Sequence, residues 1–263
     1  MDRIKVACIQ MDVFNCNKQA NISKALSMAH EAVSNSAELL VFPEVFSTGF
    51  CYEDKNDLAE PEFGESVRAM CAFSKKHECV LLFSVIEKKA SINCTDYYNL
   101  GLCIENGEIA GTYRKTHLFK KEKQYFSPGN EILPIRLRKR DLTIGLQICY
   151  ELRFPEVARK LVLEGSDILV TIAEFPSPRQ HIWKSLSIAR AIENQIPHVA
   201  CNRVGNGPDS SFFGGSIIVD AIGEIKEEAQ DKETILYHDI ELENTSKVRE
   251  IIHVFDDRRP DIY

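Results

Sequence analysis

The 263-residue chain has the length of one α/β domain, and its 44% apolar and 27% charged residues exclude a disordered, fibrous or linker protein. Its 32 basic and 39 acidic residues leave a formal charge of -7, which argues against a broad nucleic-acid surface; the basic run Arg136, Arg138, Lys139, Arg140 reads as a solvated strand edge or turn. No apolar stretch reaches membrane-spanning length and no HExxH, HxH or Cys-His cluster occurs. The nine cysteines are irregularly spaced, without a CxxC pair, and the start MDRIKVACIQ has no basic-then-apolar leader, so the expectation is a cytoplasmic chain with reduced thiols, no metal and no membrane.

In chain order, IKVACIQMD predicts a buried strand with Ile4, Val6 and Cys8 on one face and Ala7, Ile9 and Met11 on the other. Helical spacing of Ile22, Ala25, Leu26, Ala29 and Val33 follows over Asn17 to Val33, then a short strand from Leu39 to Phe42 that Pro43 stops. A second cycle reads as a helix from Gly64 to His77 and a strand from Cys79 to Ile86. Strands from Tyr97 to Ile104 and Glu108 to Tyr113 flank Asn106-Gly107, a pair suited to the positive φ angles of a tight hairpin. Beyond a loop from Lys115 to Glu131, a central strand covers Leu142 to Ile148 and a helix covers Pro155 to Leu163, with Pro155 at its start and Gly165 past its end. Asp167 to Ala173, Val199 to Val204, Ser216 to Val219 and Ile235 to Ile240 read as strands, and Ile182 to Ile192 as a helix. The segment from Asp256 to Tyr263 reads as an interface arm or a loose end.

Helices and hairpins interleave without a linker, so one layered α/β domain spans 1–263, with a tail from about 241 at a subunit interface. IENGEIAG at Ile104 to Gly111 and VDAIGEIK at Val219 to Lys226 hint at an internal repeat, although either hairpin also stands as an independent solution to the same turn problem.

Cys149 ends an apolar strand and precedes Tyr150, Glu151, Arg153 and a helix start; an adjacent helix start or lysine lowers a thiol's pKa, although most free cysteines are inert filler. A thiol nucleophile needs a proton acceptor, and Glu44, in LLVFPEVF, is an acid among apolar neighbours that is costly to bury unless paired or used. Lys115, in GTYRKTHLF, carries a charge suited to an oxyanion, and also reads as half of an exposed basic pair. Spacing alone does not bring the three together, and His77, His117, His181 and His198 have no stronger claim by position.

LLVFPE, YRKTHLF and GLQICYELRFPEVAR, in this order, resemble the motifs of the nitrilase superfamily of carbon-nitrogen hydrolases over about Lys5 to Ile225. The resemblance implies a four-layer α-β-β-α sandwich, a homodimer or larger homo-oligomer paired through helices, and a catalytic Glu44, Lys115 and Cys149. It implies no cofactor. The backbone N–H of Tyr150 would join Lys115 in holding the oxyanion, and Glu122, in KEKQYFSPG, would support the base or position the substrate.

Ala173 to Gly205 resembles the ω-amidase branch, which hydrolyses α-keto acid amides such as 2-oxoglutaramate and 2-oxosuccinamate. Glu174 departs from that branch's usual asparagine, and an acid there repels an anionic substrate unless it is turned away or protonated. Arg153 and Arg179 have the fork geometry for a substrate carboxylate, and Phe175 and Trp183 would wall the pocket. Arg190 and Glu193 read as subunit-contact or capping residues. The other readings are a general aliphatic amidase, an N-carbamoyl amine hydrolase and, in another class, a catalytically silent dimeric interaction protein. A true nitrilase fits less well, because Cys149-Tyr150-Glu151 stands where nitrilases have Cys-Trp-Glu.

Overall fold

The computed structural model describes residues 3–90 and 94–262. Its elements are β1 (Arg3–Gln10), α1 (Lys18–Ser34), β2 (Leu39–Val41), α2 (Lys55–Leu58), α3 (Glu65–His77), β3 (Val80–Ala90), β4 (Thr95–Glu105) and β5 (Glu108–Arg114). They continue with α4 (Glu122–Tyr125), β6 (Ile135–Leu137), β7 (Leu142–Ile148), α5 (Pro155–Leu163), β8 (Ile168–Ala173) and α6 (Gln180–Asn194). The last are β9 (His198–Asn202), β10 (Val204–Asn206), β11 (Ser211–Phe213), β12 (Ile217–Val219), β13 (Ile225–Glu228), β14 (Thr234–Glu241) and α7 (Glu243–Ile251).

Two six-stranded sheets lie face to face, in the orders β14-β1-β2-β3-β4-β5 and β13-β12-β9-β8-β7-β6. In the first, β1, β2 and β3 are parallel and β4 and β5 return antiparallel; in the second, β7, β8 and β9 are parallel and β12 and β13 return antiparallel. An antiparallel strand closes the other side of each, β14 on β1 and β6 on β7. The two similar hairpin sequences therefore occupy equivalent places in two halves of one architecture. Asn106 and Gly107 have φ of 49° and 87° in the first turn, and Gly223 has φ of 91° in the second.

The alternation along β1 decides the layering. Ile4, Val6 and Cys8 face inward, where they meet Ile144, Leu146, Ile148, Val170 and Ile172 of the second sheet. Ala7 and Ile9 face outward under Ile22, Ala25 and Ala29 of α1 and Val67, Met70 and Phe73 of α3. Val157, Ala158 and Leu161 of α5 cover Leu169 on the far side, which completes the four layers α-β-β-α. Each fully buried aliphatic side chain of this kind is worth roughly 1.5–3 kcal/mol relative to exposure. Gly101 on β4 is required by close approach: a Cβ there would lie 2.8 Å from Leu146 Cδ2 and 3.3 Å from Ile148 Cδ1. That approach sets β4 against the strand that ends at Cys149.

Some expectations are corrected. The strand read from Val199 to Val204 breaks at Arg203, whose buried guanidinium turns to meet Glu174 and Asp12, so the chain leaves the sheet and starts the ribbon β10-β11. The loop from Lys115 to Glu131 contains α4, and the predicted tail contains α7, too polar to show an apolar stripe. Phe255, just before the predicted arm, packs under Arg159 and Arg249, with Cζ-to-ring distances of 4.9 and 4.5 Å; Tyr263 lies outside the described residues. The expectation of nine reduced thiols fails at Cys16 and Cys51, which form a disulfide between the loops after β1 and β2. Thirty-five residues of sequence separate them, so no spacing motif announced the pair.

Thiol titration of the unfolded chain without reductant is expected to count the seven free cysteines, and the full nine only after reduction. Nine before reduction would show that the bond is absent.

Candidate active site

Glu44, Lys115 and Cys149 leave the ends of three strands, β2, β5 and β7, two from one sheet and one from the other, and converge where the sheets meet. Glu44 is fully buried. Its Oε1 accepts from Lys115 Nζ and from Asn99 Nδ2, each at 2.7 Å, and its Oε2 accepts from the backbone N–H of Glu174 at 2.9 Å. Glu44 is also among the charged groups that act on the Cys149 thiol. Lys115 Nζ also reaches both oxygens of Glu122, at 2.9 and 2.8 Å, and the Phe119 N–H holds Glu122 at 2.7 Å. The fourth predicted member, Glu122, is thus brought into direct contact with Lys115.

Backbone strain marks the residue after Glu44 and Cys149 itself. Val45, directly after Glu44, has φ of 40°, rare for a β-branched residue, and Cys149 has φ of 50°. Such conformations cost of order 1–3 kcal/mol each and persist where surrounding contacts over-determine them. Here the Val45 N–H donates to Ser84 Oγ at 2.8 Å. Cys149 opens a 3-10 turn, Cys149–Arg153, pinned by Glu151.

Glu151 is the organising residue that position in the sequence did not single out. One carboxylate oxygen accepts from Tyr113 OH (2.6 Å), Thr116 Oγ1 (2.6 Å) and the N–H groups of Thr116 (2.8 Å) and His117 (3.3 Å). The other accepts from the Ile148 N–H at 2.7 Å, so one side chain ties the nucleophile's strand end to the Lys115 segment. Burial opposes its charge, yet these donors hold its pKa below the ordinary value.

The electrostatics correct one expectation. An activated, low-pKa thiolate is not what the site builds: burial pushes the Cys149 thiol well above its ordinary value, Glu44 adds to this and Lys115 opposes it. Burial acts to lower Lys115, but Glu122 and Glu44 outweigh it and hold the ammonium charged. Burial raises Glu122 as well, against the pull of Lys115. The resting site therefore holds a neutral thiol, a fixed cation and an adjacent base, an arrangement for proton transfer coupled to attack rather than for a standing thiolate.

The remaining predicted residues surround this centre. Tyr150 follows the nucleophile in the turn, its ring between Phe119 (4.9 Å) and Phe154 (5.1 Å). Arg153 closes the turn with its Cζ 5.9 Å from the Phe175 ring centre, and Arg179 precedes α6 with its Cζ 5.8 Å from that of Phe119. Phe175 is buried on Trp183 at 5.3 Å; Trp183 donates to Gly215 O at 2.8 Å and is core beneath the wall rather than the wall itself. Glu174 is not a free acid facing substrate. Its Oε1 meets Arg203 Nη1 at 3.1 Å, while burial, augmented by Glu44 and opposed by Arg203, moves its pKa up to about 7. Arg203 is held in turn by Asp12 Oδ1 at 2.9 Å and Val13 O at 2.7 Å. Arg190 and Glu193 pair with each other, and Arg190 Nε donates to Leu152 O, inside the chain.

Beside Lys115, Phe50 lies 5.9 Å from Nζ and stacks on Tyr52, whose hydroxyl burial and Glu122 push up. Cys51 between them carries the disulfide, so that segment is anchored to the loop after β1. Outside Tyr150 and Phe154 opens a recess of about 450 Å³, bordered also by Thr116, His117, Lys123 and Phe126; none of Glu44, Lys115 and Cys149 lines it.

Glu151→Gln puts an amide among donors that need acceptors, so a loss of about 3 kcal/mol of stability at pH 7 is expected, with a parallel fall in activity. Because the folded pKa of Glu151 lies below its ordinary 4.5, its contribution is present above that pH and lost as the pH falls through it. Chemical denaturation at pH 7 and pH 4 checks this: the gap between wild type and variant narrows in acid, and an equal gap at both would contradict the assignment.

The comparisons with known proteins agree with this geometry. The carbon-nitrogen hydrolase family model matches residues 5–250. A 2-oxoglutaramate amidase of Bacillus subtilis (strain 168) is 38% identical and covers 98% of both chains, and an N-carbamoylputrescine amidase of Oryza sativa subsp. japonica is 31% identical, covering 99% of this chain and 93% of its own. The crystal structure of a carbon-nitrogen hydrolase from Helicobacter pylori G27 superposes with a TM-score of 0.92 at 30% identity, over 100% of this chain and 97% of the other. The chain belongs to the carbon-nitrogen hydrolase family, whose fold it has and whose cysteine-dependent hydrolysis of small amides it performs.

Proposed function

We propose that the protein is an ω-amidase, hydrolysing an α-keto acid amide such as 2-oxoglutaramate or 2-oxosuccinamate to the dicarboxylate and ammonia. The observation that carries the substrate class is the pair Arg153 and Arg179. Both flank the Cys149 turn over aromatic rings, half-buried, and among the described residues neither meets a carboxylate. A half-buried guanidinium that meets no carboxylate keeps its fork of donors open, and a substrate carboxylate fills it bidentately. The 2-oxoglutaramate amidase relative supports the same class.

Glu174 bears on the competing reading. An N-carbamoyl amine substrate with a cationic tail needs a free acid in the pocket; the carboxylate of Glu174 is already matched by Arg203. The same pairing removes the repulsion that Glu174 would exert on an anionic substrate.

In the mechanism, Glu44 takes the Cys149 proton as sulfur attacks the amide carbonyl. Lys115 and the Tyr150 N–H hold the oxyanion, Glu44 returns the proton to departing ammonia, and a water deprotonated by Glu44 cleaves the thioester, releasing the acid and restoring the thiol. The enzyme works as a cytoplasmic homodimer or larger homo-oligomer in this reading.

Ammonia release from 2-oxoglutaramate is expected to exceed that from uncharged aliphatic amides and to vanish in Cys149→Ala. In Arg153→Ala and Arg179→Ala, KM for the anionic amide rises roughly ten- to hundredfold while that for a neutral amide stays put, the range for a lost charged hydrogen bond. Equal turnover of charged and neutral amides would refute the substrate class, and activity surviving in Cys149→Ala would refute the mechanism.

A further inference from the structure

Asn99 stands at the centre of the site without having been assigned to it. It lies in β4, 1% exposed, and its Nδ2 donates to Glu44 Oε1 at 2.7 Å and reaches Glu122 Oε1 at 3.4 Å. Its backbone carbonyl accepts from the Lys115 N–H at 3.0 Å. One residue therefore touches the base and the second carboxylate through its side chain, and the lysine's backbone through its main chain.

Two observations show that this contact is held against a cost. Asn99 Oδ1 is buried with no hydrogen-bond partner, an arrangement that folded proteins ordinarily avoid. The amide orientation is nevertheless fixed by its surroundings, because a reversed amide would turn the carbonyl oxygen toward carboxylate oxygens. The charge balance supplies the second: two buried carboxylates share one ammonium, and Lys115 gives Glu122 two contacts and Glu44 one. A further donor is needed on Glu44, and Asn99 supplies it with the shorter of its two contacts.

We propose that Asn99 is a positioning residue that holds Glu44 in place as the base for Cys149 and keeps Glu122 from taking that role. The inference rests on the amidase mechanism above, but concerns proton transfer from Cys149 whatever the substrate. Without the amide, Glu44 keeps Lys115 and the Glu174 N–H but loses the neutral donor that separates it from Glu122; the two carboxylates then compete for one cation, and one of them takes up a proton more readily.

The test uses Asn99→Ala and the near-isosteric Asn99→Asp in the full chain, with two readouts against pH: kcat/KM for ammonia release and the rate of Cys149 alkylation by iodoacetamide, mapped by peptide mass. In Asn99→Ala, kcat/KM falls roughly ten- to hundredfold, and the acid limbs of both profiles move up by about one pH unit. Asn99→Asp, which adds a third carboxylate, moves them further. Limbs that stay in place while the rate falls equally at every pH would reduce Asn99 to a packing role and overturn the proposal. If Asn99→Ala does not fold, Asn99→Asp decides by the same criterion. Alkylation needs no amide substrate, so a failure of the substrate assignment leaves this readout intact, and displaced alkylation limbs without turnover would separate the two.

Discussion

The site depends on one buried ammonium. Taking Lys115 out of water costs several kcal/mol, and only close, well-aligned carboxylates offset it. Glu44 and Glu122 both come within 2.9 Å, so the position of each is dictated by the same cation. Those groups lie on separate strand ends and a short helix, and the fold must bring them together without slack. The close approach allowed by Gly101, the strained backbone at Val45 and Cys149, and the five donors on Glu151 all serve that convergence.

The arrangement explains why the nucleophile rests as a thiol. A thiolate beside two carboxylates in a dry site would add a third negative charge against one positive. In the proposed mechanism, coupling deprotonation to attack avoids that state, because the charge passes to the carbonyl oxygen beside Lys115. The rim is built differently. There Arg153 and Arg179 keep their charges open over aromatic faces, while Arg203, deeper in, is fully paired with Glu174 and Asp12.

The local half of this architecture was legible in the sequence. Apolar runs and their stops located β2 and β7, and placed Glu44 and Cys149 at strand ends. Alternation along β1 told the two faces of the first sheet apart, and Asn106-Gly107 marked its hairpin. What local pattern did not carry was partnership across distance. Lys115 was a candidate by its charge but read equally as half of an exposed basic pair, since its partners lie 71 and 7 residues away and meet it only after the sheets pack. Asn99 looked like one polar position in a strand, Glu151 like part of a charged segment, and Arg203 like strand interior; each is defined by groups that other elements bring to it. The Cys16-Cys51 bond was hidden for the same reason. Glu174 was visible as a departure, but its consequence depended on Arg203, which no local pattern linked to it.

The central claim is that Cys149 attacks an amide carbonyl with Glu44 as its base, expelling ammonia before the acid leaves. Rapid-quench measurement with 2-oxoglutaramate tests this most directly, with ammonia counted in the first turnover and the quenched protein analysed by peptide mass. The account predicts that ammonia appears no later than the dicarboxylate and that a 2-oxoglutaryl adduct forms on the Cys149 peptide, both absent in Cys149→Ala. An adduct on another residue, or dicarboxylate released ahead of ammonia, would contradict it.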